Sequence, residues 1–417
     1  MIVVRALYGL KSSGAAFRSF LGNKFYELGF VPFKSDPDVW MRAALNKDRL
    51  PCWEYILTYV DDVLCISPDP LTVLKLIKKD FQFKNDAMET PTNYLGGDIS
   101  QMDNEFGIVC WAMSSDNYCA AFVKNVEACI AKKGIRLPLR CVTPLGSKYR
   151  PELYTTAELK ADGLQWYQEL IGSLRWAVEL GRVDILVEIA LMSKHLALPR
   201  EGHLEQVLHI VGYLKQHKKL RLLFDCSVCR VNDKWFKSYD WFDFYRDAKE
   251  AIPPNMPEPR GNSVNVKFFV DANHASDTVT RRSQTGILIF LNKAPIHWYS
   301  KQQPTVESST FGAEFCAMKT AVEMVEGLRY KLRMFGVPID GSANIYCDNE
   351  AVYKNTVMPE STLRKKHHSI AFHRCREAVA AKTIRIAKQG TDKNLSDLFT
   401  KILTVARRKF LLDRYTY

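Results

Sequence analysis

Four acidic residues in the last third of the chain stand where the surrounding pattern calls for apolar side chains. Asp271 closes a run in which Val264, Val266, Phe268 and Val270 alternate with Asn265, Lys267 and Phe269, the period of a strand. Asp348 follows the strand-like Asn344-Ile345-Tyr346-Cys347 and precedes a helical pattern. Positions 307, 311, 314, 318, 321, 325, 328, 332 and 335 step by alternating fours and threes, one face of a helix, and Glu314 is an acid among its apolar residues. Asp397 sits beside the stripe Leu395, Leu398, Phe399 and Ile402. A buried carboxylate is costly unless it is paired, hydrogen-bonded or bound to a metal. Each acid alone has an ordinary reading as a helix cap or a salt-bridge partner, and Asp348 could simply cap the helix after it. Together, on two strand ends and two sheet-facing helices, they make a set of hard oxygen donors suited to Mg²⁺ or Mn²⁺. A pair of such ions about 4 Å apart drives in-line phosphodiester hydrolysis, one activating water and one stabilising the leaving oxygen.

A second constellation is Tyr59-Val60-Asp61-Asp62, between the β-rich runs 55–60 and 63–66. A hairpin tip there would let both acids reach one site. Asp also favours ordinary surface turns, but the flanking Ile, Leu, Val and Cys argue for a buried hairpin.

These residues need elements to hold them. Strands are expected at 264–271, 286–291, 296–300, 344–347 and 383–387, with helices at 306–335, after Asp348, at 366–381 and at 393–403. Gly336 stands at the stop position of the long helix. Three strands, a helix, then alternating strands and helices make a layered α/β domain. Upstream, 71–80 reads as a helix, 94–113 as a strand pair, and 155–219 as helical. The segment 250–263, with four prolines and a glycine, reads as a linker or long loop.

The 417 residues suffice for two or three domains, and 47% apolar and 12% aromatic content predicts a folded core. No apolar run has membrane-spanning length, and the first residues lack a secretory pattern, so no membrane partner is expected. The 11 cysteines are odd in number and scattered, which argues against a disulfide framework and for a reducing, intracellular compartment. Cys226 and Cys229 form a lone C-x-x-C, weak as a zinc signal. The net charge of +12 favours polyanions. Residues 361–388 hold eight Lys or Arg and one acid, readable as a solvated helix face or as a track for phosphates.

At these positions the sequence resembles a known family. Tyr59-Val60-Asp61-Asp62 resembles the catalytic hairpin of reverse transcriptases. Ala6-Leu7-Tyr8-Gly9-Leu10-Lys11 and Tyr94-Leu95-Gly96-Gly97-Asp98-Ile99 are similar to the blocks on either side of it in Ty1/copia-type retrotransposon Pol polyproteins. Arg182-Val183-Asp184-Ile185 and Pro199-Arg200-Glu201-Gly202-His203 resemble that family's connection segment. Phe269-Val270-Asp271-Ala272, the run 296–305, Ser309-Thr310-Phe311-Gly312-Ala313-Glu314, Ile345-Tyr346-Cys347-Asp348-Asn349 and Asp397-Leu398-Phe399-Thr400-Lys401 resemble its ribonuclease H domain. The blocks occur in family order over nearly the whole chain; only 225–262 finds no counterpart.

The resemblance implies a multidomain α/β and α+β chain. Its expected parts are the end of a reverse-transcriptase palm (1–115), a largely helical thumb and connection (116–250), a Pro-rich linker (251–263), a ribonuclease H-like domain with a mixed five-stranded sheet (264–403), and a basic tail (404–417). Asp271, Glu314, Asp348 and Asp397 would hold two Mg²⁺, with Mn²⁺ as a substitute, and cut the RNA of an RNA–DNA hybrid. Asp61 and Asp62 would serve the polymerase, Asp61 as a metal ligand. Lys11, Tyr59, Lys301, Gln302, Ser309, Thr310, Asn349, Lys365, Lys366, His367 and Arg374 would contact hybrid, RNA template or DNA. Location in the cytoplasm, in a virus-like particle, or in the nucleus would follow.

The chain also departs from the family. Its Leu-Tyr-Gly-Leu-Lys block begins near residue 6, so the strand with the polymerase's third acid is expected to be missing, and with it primer extension. Ser12-Ser13-Gly14-Ala15-Ala16-Phe17 replaces the usual Gln, Pro-Arg and aromatic, and 387–392 lacks a histidine found in many cellular ribonucleases H. Two alternatives stay open: an inactive relic that at most binds nucleic acid, and a metal-dependent DNA nuclease or integrase-like core.

Overall fold

A computed structural model describes residues 12–60, 62–83, 88–363 and 366–416. The chain forms two compact units, each discontinuous in sequence: Met1–Pro91 with Ala251–Val264 and Gly327–Asp340, and Thr92–Glu250 with Asn265–Glu326 and Gly341–Tyr417.

The described part of the first unit opens with α1 (Ser13–Glu27). Strands β1 (Val31–Phe33), β2 (Asp36–Leu45), β3 (Pro51–Tyr59) and β4 (Asp62–Ile66) follow, then α2 (Pro70–Lys78). The strands pair antiparallel in chain order. Asp69 caps α2 through the Thr72 amide, with Pro70 at the first helical position, where a missing N–H costs nothing. Leu21 and Phe25 of α1 join Phe30, Trp40, Ile56, Val73 and Ile77 in one core. A second core holds Phe33, Val39, Met41 and Met334, with Phe335 stacked on Phe33 at 4.1 Å. Gly336 follows Phe335 at φ 67, where its missing Cβ leaves room for the Trp53 indole.

The second unit has a small antiparallel sheet of β5 (Asn93–Tyr94), β6 (Gly97–Asp103), β7 (Val109–Ser114) and β8 (Arg221–Phe224). Between its strands come α3 (Asp116–Ala131), α4 (Ala161–Glu179), α5 (Leu186–Met192) and α6 (Glu201–Gln216). Their apolar stripes meet in a core of Val123, Ile130, Tyr167, Leu170, Leu174, Ile189, Val207 and Val211. After the short α7 (Phe242–Tyr245) comes a five-stranded mixed sheet: β9 (Val266–Asn273), β10 (Gln284–Leu291), β11 (Ala294–Gln302), β12 (Ala343–Cys347) and β13 (Ile384–Lys388). Its spatial order is β11-β10-β9-β12-β13; the first three are antiparallel, and β12 runs parallel to both neighbours. Helices α8 (Thr310–Met334), whose residues from Gly327 on belong to the first unit, α9 (Glu350–Val357), α10 (Ser369–Ala380) and α11 (Val405–Leu412) complete the chain. All five expected strands and the mixed α/β layering are present.

One expectation is corrected. Residues 393–403 do not form a regular helix: Leu395–Phe399 is a 3-10 turn. The Asn394 side chain accepts from Ser396 N and donates to Val270 O at 2.9 Å, which holds the turn down on the sheet. The i, i+3 apolar spacing suits a 3-10 turn as well as an α-helix. Within the stretch expected as a basic tail, Val405–Leu412 forms α11. Leu411 and Leu412 are buried, and Arg408 pairs with Glu188 at 2.7 Å, their side chains 5% and 0% exposed.

No helix among the described residues is long and apolar enough to cross a membrane.

Removing one partner of a buried ion pair strands the other charge, at a cost of about 3–5 kcal/mol, whereas replacing both by apolar groups is often neutral. Arg408→Met is therefore expected to lower the urea midpoint strongly. The double variant Arg408→Met/Glu188→Leu should recover most of the loss, as read by circular dichroism.

Candidate functional site

The centre of the mixed sheet delivers the first acid. Asp271 on β9 lies opposite Gly286 of β10 and is 2% exposed. The Thr400 hydroxyl donates to its Oδ2, and Lys401 Nζ stands 3.6 Å away. Asp348 lies just past β12, the strand parallel to β9. Asn349, not Asp348, caps α9, accepting from the amides of Ala351 and Val352 at 3.0 and 3.1 Å. That leaves the Asp348 carboxylate available to the site. Glu314 comes from the second turn of α8, started by Ser309 accepting from Gly312 N at 3.2 Å and fastened by Gln303, which donates to Ala313 O at 2.8 Å.

One oxygen from each of Asp271, Glu314 and Asp348 lies within 4.8 Å of the others. Burial first, then the charges of Asp271 and Asp348, pushes the Glu314 carboxyl up to about 10, against one backbone bond from Ala272 N–H. Burial pushes Asp271 up to about 6, with Lys401 opposing and Asp397 and Asp348 adding to the rise. Three acids so placed repel one another, Asp271 and Glu314 are buried from water, and a multivalent cation would relieve both costs.

Asp397 is brought alongside but is held differently. Its Oδ1 is 2.6 Å from Lys401 Nζ and its Oδ2 is 2.9 Å from Arg407 Nη2. The sequence reading gave no role to Thr400, Lys401, Arg407 or Gly286. Thr400 and Lys401 lie in the quoted block around Asp397, and Lys401 at i+4 was a visible signal. Gly286 had none. A Cβ there would meet Thr400 Cγ2 at 2.6 Å and Ser396 O at 2.8 Å, so its bareness lets the 395–400 turn press onto β10 beside Asp271.

The other expected residues are spread out. Tyr59 and Asp62 pair across the β3–β4 hairpin and are exposed, and Val60 between them has φ 57, a strained value for a β-branched residue. Asp61, Lys11 and Lys365 lie outside the described residues. Lys301 and Gln302 end β11; Lys301 is exposed, and Gln302 donates to Asp277 Oδ2 at 3.0 Å. Ser309 and Thr310 start α8, and Asn349 is occupied as a cap. Lys366 is exposed, Arg374 pairs with Glu326, and His367 Nε2 lies 3.9 Å from Glu307 Oε2. Arg376, counted in the basic run, is 2% exposed and bonds the carbonyls of Asn355, Met358 and Pro359.

No protein-family model matches the chain. The Pol polyprotein of transposon RE1 from Arabidopsis thaliana is 24% identical over 405 residues, covering 96% of this chain and 24% of the relative. That of transposon TNT 1-94 from Nicotiana tabacum is 27% identical over 417 residues, covering 98% of this chain and 27% of the relative. The homologues are Ty1/copia-type retrotransposon Pol polyproteins, and the chain spans about a quarter of the length of these two. Among solved structures, LC11-RNase H1 with an RNA/DNA hybrid matches 33% of this chain and 94% of its own, at 14% identity and a TM-score of 0.27.

The raised carboxyls fix a pH response. Without a cation, the folded state binds protons at Asp271 and Glu314 that the unfolded chain has already released above pH ~4. That stabilisation is complete below the unfolded values and is lost as pH rises through about 6 for Asp271 and about 10 for Glu314. In chelator, Asp271→Asn is therefore expected to raise the melting temperature by a few degrees at pH 8 and to give no gain near pH 4, read by calorimetry. Gly286→Ala should destabilise by about 1–3 kcal/mol through overpacking against the 395–400 turn, read by urea unfolding.

Proposed function

We propose that this homologue of Ty1/copia-type Pol polyproteins hydrolyses the RNA strand of RNA–DNA hybrids at the Asp271–Glu314–Asp348 cluster. The observation that carries the reading is the convergence of three carboxylates, from two neighbouring parallel strands and a helix, within 4.8 Å in a buried setting. The donor set is all oxygen, as Mg²⁺ or Mn²⁺ requires, and burial, then the charges of Asp271 and Asp348, pushes Glu314 up to about 10. Asp271, Glu314 and Asp348 would hold such ions, with Asp397 beside them. Two divalent ions there would supply an activated water and stabilise the leaving oxygen.

The chain's own groups do the positioning. Thr400 orients the Asp271 carboxylate through its hydroxyl. Lys401 and Arg407 neutralise Asp397, and Lys401 sits between Asp397 and Asp271. Lys301, Gln302, Ser309, Thr310, Asn349, Lys365, Lys366 and Arg374 would meet phosphates and 2′-hydroxyls rather than base edges, so little sequence preference is expected. For Arg374 that contact would compete with its Glu326 partner. In the first unit, Tyr59, Asp61 and Asp62, together with Lys11, would be the counterparts of reverse-transcriptase groups that handle primer, template and metal.

The test uses the full chain, Mg²⁺ and a hybrid with end-labelled RNA, beside duplex DNA of the same sequence. Cutting of the hybrid RNA is expected, falling by more than about a hundredfold in Asp271→Asn and Glu314→Gln, beyond what loss of an outer-shell partner costs. A folded wild type that leaves the hybrid whole in both Mg²⁺ and Mn²⁺ would point to an inactive relic. Cutting of duplex DNA alone would point to a DNA nuclease.

A further inference from the structure

A second group of ligand-type side chains lies outside the carboxylate cluster. Glu307 precedes α8, and His367 and His368 form the 3-10 turn Lys366–His368 that leads into α10. The three ligand atoms lie within 4.8 Å of one another. His368 Nε2 is 3.2 Å and His367 Nε2 3.9 Å from the same oxygen, Glu307 Oε2. The two rings stand 4.1 Å apart between centroids.

The surroundings orient these groups as a metal site needs. The other carboxylate oxygen, Oε1, is held by the Thr305 hydroxyl at 3.0 Å and the Cys316 thiol at 3.3 Å, which turns Oε2 toward the imidazoles. A ring nitrogen of His274 meets the Glu307 carbonyl at 2.9 Å and anchors the loop. The rings of Phe311 and Phe315 stand edge-on to His368. Such outer contacts fix the orientation of ligating carboxylates and imidazoles in metal proteins. Gly312 supplies the space: a Cβ there would come within 2.7 Å of Glu307 Oε2 and 2.8 Å of His368 Nε2. A glycine in the first turn of a helix sacrifices helix propensity, and here it opens the volume where the ligand atoms converge.

We propose that Glu307, His367 and His368 bind a borderline transition-metal ion of the Zn²⁺ type, with a further position open to solvent. Bond lengths of 2.0–2.1 Å to a tetrahedral ion put ligand atoms roughly 3.3 Å apart. The Glu307–His368 spacing of 3.2 Å already meets this, and His367 Nε2, on a side chain 59% exposed, lies at 3.9 Å from the same oxygen, slightly beyond it. Two imidazoles and one carboxylate favour Zn²⁺ over Mg²⁺, which takes oxygen ligands. The ion would clamp the 366–368 turn to the start of α8.

The test is Zn²⁺ titration of the chelator-stripped full chain in millimolar Mg²⁺, by calorimetry, with Co²⁺ absorption as a second readout. All proteins carry Cys226→Ser and Cys229→Ser, which removes the C-x-x-C pair as an alternative zinc site. One ion per chain is expected, with the ligand-field bands of low-coordinate Co²⁺ and a rise in melting temperature. Affinity should fall by about tenfold or more in His367→Ala and in Glu307→Gln. His367 is exposed, so its variant should fold even if Glu307→Gln does not. Asp271→Asn should leave the binding unchanged. No stoichiometric Zn²⁺, equal binding by His367→Ala, or loss in Asp271→Asn would overturn the proposal. None of these readouts depends on nuclease activity.

Discussion

Mutual repulsion among Asp271, Glu314 and Asp348 is the constraint around which the second unit is arranged. With Asp271 and Glu314 buried and Asp348 within 4.8 Å of both, burial and then the neighbouring charges push the Glu314 carboxyl up to about 10. Something rigid must oppose that. Two of the acids sit on β9 and just past β12, adjacent parallel strands that cannot separate without breaking the sheet centre. The third rides a helix whose buried stripe of Ala313, Phe315, Ala317, Met318, Ala321, Val322 and Val325 ties it into the core. Apolar burial on that scale, at about 25 cal/mol per Å², is the term large enough to hold like charges together.

Charge is managed by local pairing throughout this unit. Arg182 and Asp184 form a bidentate pair at 2.9 and 2.7 Å with both side chains almost fully buried, and Arg408 reaches Glu188 nearby in the fold. Near the carboxylate cluster, Lys401 and Arg407 satisfy Asp397. The net charge of +12 is therefore a poor guide to where positive potential lies. The basic run at 361–388 shows why. Arg376 is consumed by three backbone carbonyls, Arg374 by Glu326 and Arg385 by Asp233, so only part of the run remains for phosphates.

What was legible in the sequence follows from the range of the interactions. Asp271, Glu314 and Asp348 broke local apolar patterns, and a pattern break is visible along the chain. The five strands were legible for the same reason, through alternation or continuous apolar runs. The turn carrying Asp397 was misread because Leu395, Leu398 and Phe399 have a spacing that α and 3-10 helices share; the Asn394–Val270 bond that decides between them spans 124 positions. The burial of Arg376 within the basic stretch was not legible, because it depends on Trp241 and on the carbonyls of Asn355, Met358 and Pro359, all outside that stretch. Gly286 and Gly312 carried no signal, since a missing side chain matters only once a neighbour arrives from elsewhere in the chain. Glu307 was placed on the helix face, whereas it precedes α8 and turns toward His368.

The start of α8 joins the two clusters by simple geometry. Gly312 and Glu314 are two residues apart, and at about 100° per residue their Cα–Cβ directions diverge by roughly 200°. The first therefore faces Glu307 and His368, the second Asp271 and Asp348. Little more than half a turn of helix thus separates an all-oxygen donor set from a nitrogen-rich one. The separation has a chemical consequence, because cation choice follows donor type more than raw affinity. Carboxylates alone favour hard ions, while paired imidazoles favour borderline ones, so the two clusters need not compete for the same ion. Shifting the register of α8 by one residue would turn a carboxylate away from the sheet and fill the space over Gly312 with a side chain. Both clusters thus depend on the same capping contacts, Ser309 to the Gly312 amide and Gln303 to the Ala313 carbonyl.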